Sequence, residues 1–272
     1  MSLSGKTLFI TGASRGIGRE IALKAAADGA NIVVAAKSAE AHPKLPGTIF
    51  SVAEEIVAAG GKALPLQLDV RDEEAVKAAM AQAAEHFGGI DALINNAGAI
   101  RLKGVEHLEP KRYDLMFQIN TRAVMVCSQA ALPYLKQSQG HILSLSPPLN
   151  LDPKWFASYG PYTTTKYGMS MLTLGMHEEF RKYGISVNSL WPRTVIATAA
   201  IEFEAGGPAV MKAARLPAIM ADAAYAILAS SGRSISGRLL IDEEILREQG
   251  QTDFEQYRYD PAGKLMTDLF VD

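Results

Sequence analysis

The chain has 272 residues, 48% hydrophobic and 21% charged, enough apolar material for a packed core and too little charge for a disordered polymer. A formal net charge of −2 gives nucleic acid or an anionic membrane surface no electrostatic reason to be the main partner. No stretch approaches the ~18 uninterrupted apolar residues of a membrane span, and the opening MSLSGKTLFITG lacks a basic leader, so a cytoplasmic protein without a membrane span is expected.

Short apolar runs alternate with longer amphipathic stretches up to about residue 241, the pattern of βαβ units around a parallel sheet. Strands are predicted at 7–11, 31–36, 62–69, 92–95, 141–146, 186–191 and 238–241. Helices are predicted near 16–29, 50–60, 72–87, 110–118, 121–137, 160–183 and 218–230. The expected fold is α/β, a Rossmann-like doubly wound parallel sheet of about seven strands, with a single domain over 1–242 and a tail over 243–272. Pro65 falls inside the third strand, where it fits an edge position, as in the strand order 3-2-1-4-5-6, or a bulge.

Two segments exceed simple connections. The polar stretch KSAEAHPKLPGT at 37–48 is long for a strand-to-helix link, a length typical of functional or mobile loops. The Ala-rich stretch 196–217, with Phe203 and Met211, is expected to form a lid, and its apolar character suggests a lipid-like substrate. The tail ends in LMTDLFVD, whose apolar residues are expected to dock on the core or on a neighbouring subunit. Cys127 reads as a small buried hydrophobe, and His42, His86, His107, His141 and His177 show no metal-ligand spacing.

The segment TGASRGIG at 11–18 sets Gly12, Gly16 and Gly18 after the first strand and at the start of a helix. Glycine permits the sharp turn and a close backbone approach, while free N–H groups and the helix dipole attract a pyrophosphate. Ser14, Arg15 and Ile17 belong to the same candidate cofactor loop. An NAD site typically closes its second strand with an acidic residue, whereas this one closes with Ala35-Ala36-Lys37. Lys37 with Arg15 suits a 2′-phosphate, so NADP(H) is the expected cofactor, although either residue alone also reads as a solvated surface cation.

Tyr162 and Lys166 lie four residues apart on a predicted helix and so share a face. Reduction of a carbonyl builds negative charge on oxygen, which a phenol can protonate, and a nearby ammonium favours the phenolate. Tyr159 and Tyr167 have no lysine four residues later.

The glycine spacing Gly-x-x-x-Gly-x-Gly, LDV at 68–70, NNAG at 95–98, Asn120, YTTTK at 162–166 and the proline-containing loop at 192–198 follow in order. With these motifs the chain resembles the short-chain dehydrogenase/reductase family over almost its whole length. The resemblance implies that Tyr162 is the catalytic acid/base and that Lys166 also holds the nicotinamide ribose. It implies that Asn120 anchors a proton-relaying water and that Asp69 binds the adenine amino group. Asn120 also reads as a helix N-cap, and Asp69 as a cap for the helix beginning near Arg71. Asn96 and Gly98 would hold the fourth strand against the cofactor, and Pro192, Thr194 and Thr198 would contact the nicotinamide amide. A homodimer or homotetramer built on helices 121–137 and 160–183 is also implied.

The chain departs from the family pattern twice. Alignment of GHILSLS puts Pro147 where the family has a substrate-binding serine, leaving Ser146, one residue early, as the candidate catalytic replacement. Pro192-Arg193 replaces Pro-Gly, and the added cation would attract an acidic substrate or point to solvent. Two functions follow for a small-molecule partner. The first is NADP(H)-dependent hydride transfer with a carbonyl or secondary alcohol; the second is an NADP(H)-binding regulatory or scaffold protein weakened in catalysis at Pro147.

Overall fold

Residues 2–43, 45–204 and 206–272 are described by the computed structural model. Lys44 of the polar 37–48 segment and Ala205 of the expected lid lie outside the described residues.

The seven strands among the described residues are β1 (Thr7–Thr11), β2 (Asn31–Ala36), β3 (Lys62–Gln67), β4 (Ala92–Asn95), β5 (His141–Ser144), β6 (Ser186–Trp191) and β7 (Leu239–Ile241). All pair in parallel, in the order β3-β2-β1-β4-β5-β6-β7. Every residue of β1 and β6 is buried, as a sheet covered on both faces requires. Pro65 sits opposite Val34 in β3, an edge strand with one side free of any ladder. Both β3 and β5 stop two residues short of the predicted ends. At β5 the reason is a turn in which the Ser146 N–H bonds back to the Ser144 carbonyl.

Helices α1 (Gly16–Ala27), α2 (Ile49–Ala58), α3 (Glu73–Phe87), α4 (Pro110–Phe117), α5 (Ala123–Ser138), α6 (Lys154–Ala157) and α7 (Gly160–Phe180) follow the first five strands. After β6 come α8 (Ala199–Glu204), α9 (Gly207–Lys212) and α10 (Ala218–Leu228), and after β7 comes α11 (Asp242–Glu248). The alternation of side chains along each strand divides the core. Ile10, Val34 and Leu190 pack with Ile21, Val52 and Ile219 of α1, α2 and α10. Phe9, Val33 and Val187 pack on the opposite face with Met80, Val124 and Met169 of α3, α5 and α7.

Local chemistry sets the helix starts. Thr48 and Ser51 form a reciprocal capping box for α2, and the Asp72 carboxylate accepts from the Ala75 N–H at the head of α3. The helix predicted from 121 is instead preceded by one π-helical turn, Gln118–Arg122, which joins α4 to α5. Beyond α11 the chain returns across the carboxyl ends of the strands. There the Val195 N–H bonds the Met266 carbonyl at 3.0 Å, the Asp268 N–H bonds the Arg193 carbonyl at 3.0 Å, and Trp191 Nε1 donates to the Leu269 carbonyl at 2.9 Å.

Candidate active site

At the carboxyl end of β1 the backbone turns through Gly12, whose φ of +68° suits glycine. A Cβ there would come within 2.9 Å of Ala97 Cα. Asn96 fastens this turn to β4, its side-chain amide donating to the Thr11 carbonyl at 2.9 Å and the Gly12 carbonyl at 3.0 Å. Gly18 leaves room for that amide, since a Cβ at 18 would collide with Asn96 Nδ2. Among the described residues no side chain caps α1, so its first N–H groups and positive dipole end are available to an anion. Ser14 is buried beneath the loop, and Gly16 and Ile17 line a cavity of about 370 Å³.

The 37–48 segment folds onto the glycine loop. Arg15 donates to the Pro46 carbonyl at 3.0 Å, to the Gly47 carbonyl at 3.1 Å and to Ser38 Oγ at 3.1 Å. Lys37, well exposed, lies 3.3 Å from the Asp69 carboxylate. Arg71 binds the same carboxylate and, with burial opposing it and Lys37 adding to it, holds Asp69 below the usual carboxylate range. The capping alternative for Asp69 is overturned, because Asp72 caps α3.

The other end of the cavity is made by residues far apart in sequence. Asn120 is fully buried in the π-helical turn, a distortion that commonly marks functional sites. Its Oδ1 accepts from the Ala99 N–H at 2.8 Å, while Nδ2 donates to the Ala99 carbonyl and to Thr165 Oγ1, both at 3.0 Å. Asn120 therefore ties α7 to the segment after β4 from mid-helix, and the N-cap alternative does not hold. Tyr162 and Lys166 project from α7 into the cavity with Asn120, Asn96 and Gly98. Lys166 Nζ donates to the Leu145 carbonyl at 2.6 Å and stands 4.9 Å from the Trp191 ring centroid.

Burial lowers Lys166 to about 7, with Asp268 pulling the other way. The phenol differs from expectation: burial first, and Asp268 second, push Tyr162 above its ordinary value. Loss of solvent around the hydroxyl outweighs any gain from the lysine four residues on.

Neither Ser146, the candidate substrate contact, nor Arg193, for which contact with an acidic substrate was one alternative, is brought to the cavity. Ser146 is fully buried, has no hydrogen-bond partner for Oγ among the described residues, and is absent from the cavity wall, which takes Leu145 instead. Pro147 points its carbonyl to Ser170 Oγ at 2.6 Å. Arg193 forms an ion pair with Glu244 and also lies outside the wall. In the same loop Pro192 and Thr198 line the cavity, whereas Thr194 is buried behind it in a bridge with Thr267. Helices α8 and α9 contribute Ala199, Ile201 and Val210.

The tail supplies what sequence reasoning missed. Met266, Thr267, Asp268 and Leu269 complete the wall. Phe270, nearly wholly buried, has ring centroids of Tyr162, Trp191, Trp155, Tyr159 and Tyr167 within 5.3–6.4 Å. Its φ of +70° is uncommon for a side-chain-bearing residue, and such strain persists only where surroundings enforce it. The apolar run in LMTDLFVD was the one signal of this docking. Elsewhere, Cys127 is buried with its thiol pushed up to about 12, and no cluster of three or more His, Cys, Asp or Glu among the described residues is placed to hold a metal. Nor is any described helix long and apolar enough to cross a membrane.

Residues 6–205 match the model of the short chain dehydrogenase family. Hydroxysteroid dehydrogenase-like protein 2 of Xenopus laevis is 57% identical over 271 residues, 99% of this chain but 64% of that protein, so the chain spans under two thirds of this relative's length. A solved structure from Xanthomonas campestris shares 52% identity with a TM-score of 0.96, each chain covered in full. A metagenomic short-chain oxidoreductase solved in complex with NADP shares 28% identity with a TM-score of 0.73, over 89% of this chain and 98% of that one. Fold, motif order and these likenesses agree: the chain belongs to the short chain dehydrogenase family, oxidoreductases that bind a nicotinamide cofactor.

Proposed function

We propose that the protein is an NADP(H)-dependent oxidoreductase that moves hydride reversibly between the nicotinamide and a carbonyl or secondary alcohol on an apolar, lipid-like substrate. The observation that carries this reading is the convergence of Tyr162, Lys166 and Asn120 on one largely apolar cavity that opens at its other end onto the glycine loop. The cradle fits a dinucleotide: Gly12, Gly16 and Gly18 with Ser14 and Ile17 admit the pyrophosphate, and Asp69 takes the adenine edge. Arg15, Ser38 and Lys37 gather donors where a 2′-phosphate would lie. Asn96 and Gly98 back the nicotinamide side, with Pro192 and Thr198 at its amide and Thr194 behind them. When bound, the cofactor supplies or accepts the hydride.

Tyr162 then gives its proton to the substrate oxygen, and the raised phenol value keeps it protonated for that step at neutral pH. Lys166, near neutrality, is poised to exchange a proton with the phenol's surroundings and to hold the ribose. Both Asn120 side-chain hydrogens are committed to Ala99 and Thr165, so any relay water is anchored by another of its atoms. With Ser146 buried away, the tyrosine acts without the family's serine.

The test is NADPH oxidation against aliphatic aldehydes and ketones, with Tyr162→Phe as comparison. Turnover should fall by about 10²–10⁴-fold while NADPH affinity stays. Tight NADPH binding with no turnover of any carbonyl would favour a regulatory or scaffold role instead. Exposed Met125 on α5 and Met171 and Leu174 on α7 support a homodimer or homotetramer through these helices, checked by sedimentation. A cytoplasmic location belongs to the same reading.

A further inference from the structure

We infer that Asp268 makes the substrate end of the cavity selective for uncharged carbonyl and alcohol compounds, rejecting those that carry a carboxylate beside the reacting carbon. This rests on the reading of the cavity as a hydride-transfer site and adds the substrate class.

The charged residues of the cavity wall, among those described, are Arg15, Lys166 and Asp268. Arg15 is at the glycine-loop end, where it also donates to the carbonyls of Pro46 and Gly47. Lys166 is directed to the Leu145 carbonyl. Asp268 is thus the acid of the substrate end, and the alternative in which Arg193 attracts an acidic substrate is not favoured. That guanidinium pairs with Glu244 outside the wall.

Asp268 is held in place and does not trail from a free terminus. Its N–H bonds the Arg193 carbonyl, its Oδ1 accepts from the Leu269 N–H at 2.6 Å, and the flanking Met266 bonds both Val195 and Ala213 through its backbone. Two residues on, Phe270 is locked among the rings of Tyr162 and Trp191. The carboxyl therefore keeps a fixed position near the phenol and the ammonium, with both of which it interacts electrostatically.

Besides burial, the groups acting on this carboxyl are the Leu269 N–H, which favours its charge, Asp242 at the head of α11, which opposes it, and Lys166 from α7, which favours it; the phenols of Tyr159 and Tyr162 also face it. Asp242 itself accepts from the N–H groups of Arg193 and Glu243, and Glu243 is paired with Arg215. Burial pushes Asp268 up to about 7, so in neutral solution the group passes between an acid that can donate to a neutral oxygen and a carboxylate that repels an anion. A like charge within a few ångströms at an interior dielectric weakens binding by an order of magnitude or more.

The experiment compares 2-oxooctanoate with its amide, a pair matched in shape and differing in charge. Dissociation constants are measured by calorimetry on the NADP-loaded protein, and kcat/KM by NADPH oxidation. Wild type should prefer the amide by at least about tenfold at pH 8, and the ratio should collapse toward one in Asp268→Asn. Because the oxo acid stays ionised, the wild-type ratio should also shrink as pH falls from 8 to 5.5, and by more than in Asp268→Asn, where Lys166 alone of the described charged wall residues titrates in that range. Equal preference in wild type and variant, a ratio flat with pH, or an amide that does not bind overturns the proposal. An amide that binds with the expected ratio but is never reduced leaves this inference standing and sinks the hydride-transfer reading.

Discussion

The two ends of the cavity are built in opposite ways. The cofactor end is centred on one contiguous segment, 11–18, whose glycines and helix start are braced by Asn96 and by the 37–48 segment. The substrate end joins the segment after β4, α7, the loop after β6, the lid helices and the tail, and α7, β6 and the tail meet around Phe270. The first end depends on backbone conformation and close approach, the second on long-range packing. Damage at the first should therefore appear mainly in cofactor affinity, while damage at the second should couple stability to catalysis.

Phe270→Ala tests that coupling with the largest expected effect. Removing a nearly fully buried phenyl ring that touches five others should cost about 3–5 kcal/mol. For a chain of this size that is a fall in Tm of about 6–20 °C by calorimetry, with turnover reduced because Tyr162 loses the ring stacked on it. Retained turnover in a destabilised protein would uncouple the two. Gly18→Ala is the matching lesion at the other end. The new methyl must displace Asn96, at about 1–3 kcal/mol, and the glycine loop loses its tie to β4. Fluorescence titration should show NADPH binding weakened by tenfold or more, a larger relative loss than the change in Tm implies. Arg15→Ala sharpens the cofactor side further. A charge-assisted contact is worth about 1.5–3 kcal/mol, so NADPH affinity should drop at least tenfold while NADH affinity changes little. Equal losses for both cofactors would mean that Arg15 only fastens the 37–48 loop.

This division also decides what could be read from the sequence. The strands, the glycine turn at the head of α1 and the placing of Tyr162 and Lys166 on one face of α7 were legible because each depends on spacing within one element. Pro65 correctly marked an edge because proline acts on its own backbone. Asp268 and Phe270 were not legible, since their partners lie about a hundred residues earlier and only the folded tail brings them together. Ser146 misled because a strand that ends two residues early, and then turns, sends its hydroxyl behind the wall. Nothing in QINTRA distinguishes a π-helical turn from an ordinary one, so the tie between Asn120 and Ala99 emerged only with the fold.

The smallest expected effect concerns pH and isolates the acid of the substrate end. The folded Asp268 carboxyl lies at about 7, against an ordinary value near 4, so the native state holds this proton more tightly than the unfolded chain. Ionisation then costs stability progressively between about pH 4 and 7, and the cost is complete above 7. Asparagine cannot ionise, yet it can still accept from the Leu269 N–H. Asp268→Asn should therefore melt above wild type at pH 8 by about 2–4 °C, the size of a ~1 kcal/mol change, and the gap should close as pH falls through 7 toward 4. Asp242, raised to about 6, shifts stability in the same sense, and Lys166, lowered to about 7, in the opposite one. Both remain in the variant and cancel in the difference, apart from their couplings to Asp268: the repulsion of Asp242 widens the gap, and the weaker attraction of Lys166 narrows it without reversing its slope. A variant that melts below wild type at pH 8 would mean that the ammonium, not burial, governs this carboxyl, and the substrate end would then hold an ion pair in place of a lone acid.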